Sequence, residues 1–237
     1  MLTCRLEVRR ETFDSVGDDW RSLLGQLPES SVFATPEWQQ AWWECFKDGL
    51  DLKLMSLRVE GEVRGVAPLV AREGEYTFLG DADLVDYHEL LHAGVEDDAF
   101  YGAILERLSK CSDCTSLRLA AVPEWSPSLE ALPRCARELG WRVEVSQSDV
   151  APGLPLPGTW EEYLAGLSKK DRHELRRKMR RLESAGDVRQ QALSTPEDVE
   201  AGLDDFIRLH RKSTPDKEAF MTPERGAVFR HAAPALA

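Results

Sequence analysis

"LKLMSLRVEGEVRGVAPLVARE", residues 52–73, decides the fold. Apolar and polar side chains alternate on both sides of Gly61, the period of two that marks a strand with one buried face. A glycine between two such runs reads as a tight turn, because it takes a positive φ without steric cost. The stretch is therefore an antiparallel hairpin, and its neighbours must be arranged on a sheet.

Upstream, "LTCRLEVRRE" (2–11) alternates like a strand, and "SVGDDWRSLLGQL" (15–27) has helical spacing. Thr35-Pro36-Glu37 opens a second helix: an N-cap, a proline at the first helical position and an acid in the first turn. That helix carries Trp38, Ala41, Trp42, Cys45 and Phe46. Downstream, "YTFLGDADLVDYHELLHAG" (76–94) supplies one or two more strands, and a helix runs from about Asp97 to Lys110. Strand "SLRLAAV" (116–122), helix "SLEALPRCARELG" (128–140) and strand "WRVEVSQ" (141–147) follow, with Gly140 where a helix C-cap belongs. The order is β-α-α-β-β-β-α-β-α-β, an α/β fold.

"DVAPGLPLPG" (149–158) has the composition of a linker. Thr159-Trp160-Glu161-Glu162 is a capping box, and Ser168 to Asp171 reads as a second N-cap, so the helix breaks there. "DVRQQALS" (187–194) is strand-like, and Thr195-Pro196-Glu197 and Thr222-Pro223-Glu224 each open a helix. Strand, helix and a Thr-Pro-Glu helix thus recur, which divides the chain into residues 1–150, a linker and basic helix at 151–186, and a second start at 187–237.

The 237 residues carry a formal charge of −12. "SKKDRHELRRKMRRLESAG" (168–186) opposes that balance: between Ser168 and Gln190, nine Lys and Arg face four Asp and Glu, a local +5 that leaves −17 for the rest. An acidic chain is a poor general nucleic-acid binder, so any anion site must be local, and no base-reading motif points to duplex DNA. The first residues have no apolar core of a secretory signal, and no apolar run reaches membrane-spanning length. Five scattered cysteines suit reduced thiols in the cytoplasm, and Cys111-Ser-Asp-Cys114 lacks the second pair or histidine that a zinc site needs. GxSxG, Walker and HExxH motifs are missing too, so hydrolase, NTPase and metalloenzyme readings have no support and no metal is expected.

"FATPEWQQAWWECF", "LRVEGEVRGVAPLVARE", "FLGDADLVDYHELL" and "LPGTWEEYLAGLSKKDRHELRRKMRRLESAG", in this order, resemble the CelD/BioF-like branch of the GNAT acetyltransferases, relatives of the Fem-type peptidyltransferases. The resemblance runs from about Phe33 to the C-terminus. It implies an acyl-CoA N-acyltransferase fold, with a mixed, mostly antiparallel central sheet flanked by helices, in tandem halves of which the second is incomplete. It also implies acetyl-CoA or another acyl-CoA as donor, bound by the C-terminal half through residues expected beyond Ala237, so the chain is expected to be a fragment inactive alone. The expected acceptor is an amine or hydroxyl of a cell-envelope or polysaccharide precursor. A non-catalytic module for an anionic partner and an aminoacyl-tRNA-dependent transferase are the alternatives.

The residues of the first half agree about the donor. A CoA pyrophosphate needs bare backbone N–H groups at a helix start, and "HAGVEDDAFYG" (92–102) puts Glu96, Asp97 and Asp98 there instead.

Three constellations are site candidates. In the basic helix, Lys169, Arg172, Arg176 and Arg180 share a ridge beside Lys170, Arg177 and Arg181, and Leu175, Met179 and Leu182 form an apolar stripe. This is either a packed helix with a solvated cationic face held by Glu174 and Glu183, or a clamp on a phosphate-bearing small molecule, a glycan- or lipid-linked precursor, or less readily a tRNA. Trp38 and Trp42, one turn apart, are either core or a stacking platform for sugar or base. Asp86, Tyr87 and His88, at a strand mouth, offer a group to orient or deprotonate an acceptor, or are simply solvent-facing.

Overall fold

The computed structural model describes residues 5–237; Leu2–Cys4 of the predicted first strand lie outside them. The fold is α/β, with antiparallel and mixed sheets flanked by helices. The chain forms two compact units, residues 5–148 with 194–237, and residues 149–193.

In the larger unit, β1 (Leu6–Arg10) leads to α1 (Phe13–Leu24) and α2 (Pro36–Phe46), then to β2 (Asp51–Leu52), β3 (Met55–Val59) and β4 (Glu62–Ala67). The predicted hairpin is β3–β4. Glu60 and Gly61 both have positive φ, 51° and 91°, the geometry of a two-residue turn that matches strand twist. Its register shifts between Leu57 and Arg58, a bulge that lets Leu57 face Gly65.

The second arm of that stretch is not one strand. Pro68, without an N–H to pair, ends β4, and β5 (Leu69–Arg72) enters a different sheet. β5 turns through Glu73 and Gly74, again both at positive φ, into β6 (Glu75–Phe78). With β7 (Leu91–His92) and β8 (Ser116–Arg118) the sheets are complete: β1-β3-β4-β7, fully antiparallel, and β2-β5-β6-β8, in which β6 and β8 run parallel. The expected single central sheet is thus two four-stranded sheets.

Two predicted strands do not form. Residues 141–147 are extended without a ladder; their alternation reflects Trp141 and Val143 packing on the core, where the Trp141 indole donates to Ser109 Oγ at 3.0 Å. Residues 187–194 are exposed coil. A strand needs a neighbouring strand along its length, and among the described residues neither segment is paired into a ladder.

Helices α3 (Asp97–Ser109) and α4 (Ser128–Glu138) cover one core, with Phe100, Tyr101, Ile104, Leu105 and Leu108 packed on Leu57, Leu69, Tyr76 and Phe78. Gly140, at φ 82°, ends α4 as expected. α1 and α2 build the other core from Val16, Trp20, Leu23, Trp38 and Trp42.

After 194 come α7 (Pro196–Ser213), α8 (Pro215–Phe220) and α9 (Pro223–Leu236). Thr195 and Thr222 cap their helices as read; Thr214-Pro215, which opens α8, is an addition. α9 lies on α2 and buries Val228 and Ala232 in the same core as Trp38, so 194–237 joins the first 148 residues instead of standing apart from 187 onward. Phe229 packs edge-on to Trp38 at 5.9 Å between ring centres.

The smaller unit holds α5 (Trp160–Gly166) and α6 (Lys169–Glu183). Thr159 and Glu162 form the capping box, Leu167 breaks the helix with ψ 151°, and Ser168 starts the next.

Candidate functional site

α6 carries the cationic ridge on an exposed surface. Ser168 Oγ accepts from the Asp171 N–H at 3.2 Å and donates to Asp171 Oδ2 at 2.7 Å, so one N–H of the first turn is capped and a carboxylate stands beside it. Arg177 is held by Glu174 at 2.7 Å, and Lys178 reaches the same carboxylate at 4.0 Å. The hydrogen bond from Arg177 first, and then the charges of Arg177 and Lys178, lower the Glu174 pKa. Arg172 donates to the Leu167 carbonyl at 3.2 Å across the α5–α6 junction. Among the described residues Lys169, Lys170, Arg172, Arg176, Arg180 and Arg181 make no ion pair, nor does Glu183, expected to hold the face. A hollow of about 540 Å³ opens at the first turn, lined by Lys169, Lys170, Asp171, His173 and Glu174.

The apolar stripe beside the ridge is exposed: no α6 residue is buried, and Met179 and Leu182 are 39% and 58% exposed. Of the first reading, the cationic face is solvated and Glu174 holds Arg177, while the packing of the stripe is not seen among the described residues.

Trp38 and Trp42 are core residues. Phe33 and Phe229 meet the Trp38 ring edge to face, Phe46 stacks on Trp42, and no open ring face remains for a ligand. Burial wins because each indole removes a large apolar area from water.

Asp86, Tyr87 and His88 go to three environments. Asp86 is exposed. His88 lies 6% exposed and parallel to Phe78 at 5.0 Å, and burial pushes its pKa down to about 4, so it is a neutral core ring and not a proton acceptor for a substrate. Gly80, at φ 127°, is what makes room, since a Cβ there would come within 2.7 Å of the ring. Tyr87 turns outward against Trp125, 5.3 Å between ring centres.

Trp125 marks a site that the sequence reading missed. A cleft of about 390 Å³ lies where the loop before α4 meets the start of α3. Its walls include Asp97, Glu124, Trp125, Ser126, Glu130 and Arg134. Arg134 pairs with Asp98, which lowers the Asp98 pKa. Behind the wall, Ser126 and Ser128 share a 2.5 Å hydrogen bond, and burial raises the Glu89 pKa against a hydrogen bond from Ser126. No local signal points to this cleft; "PEWSP" (123–127) is only a proline-bounded loop.

The α3 start bears on the donor. Glu96 stands at the N-cap without a side-chain cap bond, with Asp97 and Asp98 in the first turn. A pyrophosphate there would meet carboxylates, so these residues do not fit CoA. In residues 169–237 the helix starts are capped by Thr195, Thr214 and Thr222 side chains, again unlike a phosphate cradle. Among the described residues, no group of three or more His, Cys, Asp and Glu is placed to hold a metal ion, and no helix is long and apolar enough to cross a membrane.

Neither the curated proteins nor the solved structures give a match to the chain. Residues 169–237, which span α6 to α9, match the family model of the acetyltransferase (GNAT) domain, and this supports the GNAT superfamily for that part of the chain and acyl transfer as its general chemistry.

Proposed function

We propose that the chain serves an acyltransferase, in the cytoplasm, that acylates an amine or hydroxyl of a phosphate-bearing cell-envelope or polysaccharide precursor, and that α6 holds the phosphate. The observation that carries the second half is the exposed ridge of unpaired cations at Lys169, Lys170 and Arg176 beside the hollow at the first turn of α6. Arginine grips phosphate in a bidentate way, and such charge-assisted bonds are the stronger ones. The matched family implies an acyl-CoA donor in general. No residue of this chain is assigned a step on it. In this reading residues 169–237 belong to the acyl-transferring part, although the helices of 194–237 pack with the first 148 residues. A CelD/BioF-like affinity rests on the quoted phrases alone, and a tRNA remains the second anionic partner that such a ridge would suit.

The test compares Lys169→Ala plus Arg176→Ala with Arg177→Ala plus Lys178→Ala, whose charges are taken by Glu174. The probe is a uridine diphosphate sugar, titrated at several salt concentrations. The first pair should weaken binding about tenfold or more and flatten the salt dependence, while the second changes it less than about twofold. Equal effects of both pairs, or none, sink the clamp and leave α6 a solvated helix.

A further inference from the structure

Trp125 is 55% exposed, yet it is not loose, because Tyr87 holds its ring at 5.3 Å. A lone exposed aromatic needs no explanation; one braced by a second aromatic at the lip of a cleft presents a fixed flat face. The cleft's charge is one-sided. Asp97, Glu124 and Glu130 line it, and the single cation on its wall, Arg134, is neutralised by Asp98. Nor does the histidine behind cancel Asp97. His92 has a side chain 8% exposed, its Nε2 lies 3.5 Å from Asp97 Oδ1 without completing a hydrogen bond, and burial lowers its pKa, keeping the ring neutral. Ser126 adds a hydroxyl at the edge of the buried polar group formed with Ser128 and Glu89.

A flat aromatic face attracts both a cation and the C–H face of a ring. Uncompensated carboxylates attract a cation and accept hydrogen bonds from vicinal hydroxyls. A neutral sugar leaves the charge unmatched, an anionic one is repelled, and an extended lysine chain has no ring to lay on Trp125. We infer that the cleft between the start of α3 and the loop before α4 binds an amino sugar with a free, protonated amine, its ring stacked on Trp125 and its ammonium set among Asp97, Glu124 and Glu130. The site lies in the larger unit and needs neither α6 nor an acyl donor, so its test reads binding alone and fails separately from the phosphate clamp.

Calorimetric titration of the full chain compares three probes: a glucosamine trimer, its fully N-acetylated counterpart and a trilysine peptide. The glucosamine trimer should bind with a dissociation constant on the order of 0.1 mM, and the other two about tenfold or more weakly. Trp125→Ala and Glu130→Gln should each weaken the glucosamine trimer about tenfold, with unchanged circular dichroism. Glu130→Gln is near-isosteric and keeps the test valid should Trp125→Ala disturb the loop. Equal binding of free and acetylated trimers, tighter binding of trilysine, no saturable binding, or indifference to both substitutions would overturn the inference.

Discussion

The Trp42 indole donates to Asp81 Oδ2 at 2.7 Å, tying α2 to the loop after β6. The other Asp81 oxygen accepts from the backbone of Asp83 at 2.9 Å and of Leu84 at 3.1 Å, so one carboxylate closes the loop and anchors the helix. Trp42 is buried and its N–H has no water to fall back on. Asp81→Ala should therefore cost about 2–3 kcal/mol in urea denaturation, and Asp81→Asn should recover part of it. A loss below about 0.5 kcal/mol would show that the loop closes without the carboxylate.

Glu11 predicts an acid-sensitive step. Burial pushes its pKa up, but hydrogen bonds from Ser15, Ser56 and Arg58 outweigh this and leave it lowered. A carboxyl lowered on folding contributes stability that is full above its unfolded value of 4.5 and is lost as pH falls through the folded value. Glu11→Gln should cost about 1–3 kcal/mol at pH 7, because the mostly buried Arg58 loses its buried carboxylate partner and keeps the half-exposed Asp19 at 3.3 Å. The variant's deficit should shrink between pH 5 and 3, to be read from urea midpoints about half a pH unit apart. A constant deficit refutes the assignment.

His88 acts in the opposite chemical sense with the same slope. Its pKa falls from 6.5 to about 4 on burial, so below pH 6.5 the unfolded chain takes up a proton that the folded ring refuses. Stability is full above 6.5 and declines down to about 4, by up to about 3 kcal/mol. His88→Phe should flatten the profile over that window, since an aromatic ring still stacks on Phe78. An unchanged slope would assign the acid sensitivity to other groups.

Gly65 is a packing requirement. A Cβ there would run into the Phe100 ring and come within 3.1 Å of the Leu91 carbonyl. Gly65→Ala should lose about 1–3 kcal/mol by thermal unfolding, whereas Gly102→Ala on the open side of α3 should be neutral or stabilising. Similar melting temperatures for the two variants would contradict the close approach.

Helix starts were legible because they are settled within four residues: Thr35, Thr159, Ser168, Thr195 and Thr222 each satisfy their own helix's free N–H. Thr214-Pro215 carries the same signal and could have been read. The β3–β4 turn was legible for the same reason, since Gly61 carries its own backbone requirement. The sequence alone also determined that the positive charge gathers on one helix. Tertiary structure decided the rest. Residues 141–147 and 187–194 alternate like strands, but alternation states only which side chains want burial, and a strand exists only where another backbone meets it. Pro68 parts two sheets that look continuous in sequence. Trp38 could have faced a ligand or the core until α9, nearly two hundred residues on, covered it. His88 and Tyr87 are adjacent, yet one is sealed against Phe78 and the other braces Trp125. The cleft beside Trp125 joins Asp97 to Glu130, and no periodicity records that contact, because burial and partnership across the fold are properties of distance in space and not of spacing along the chain.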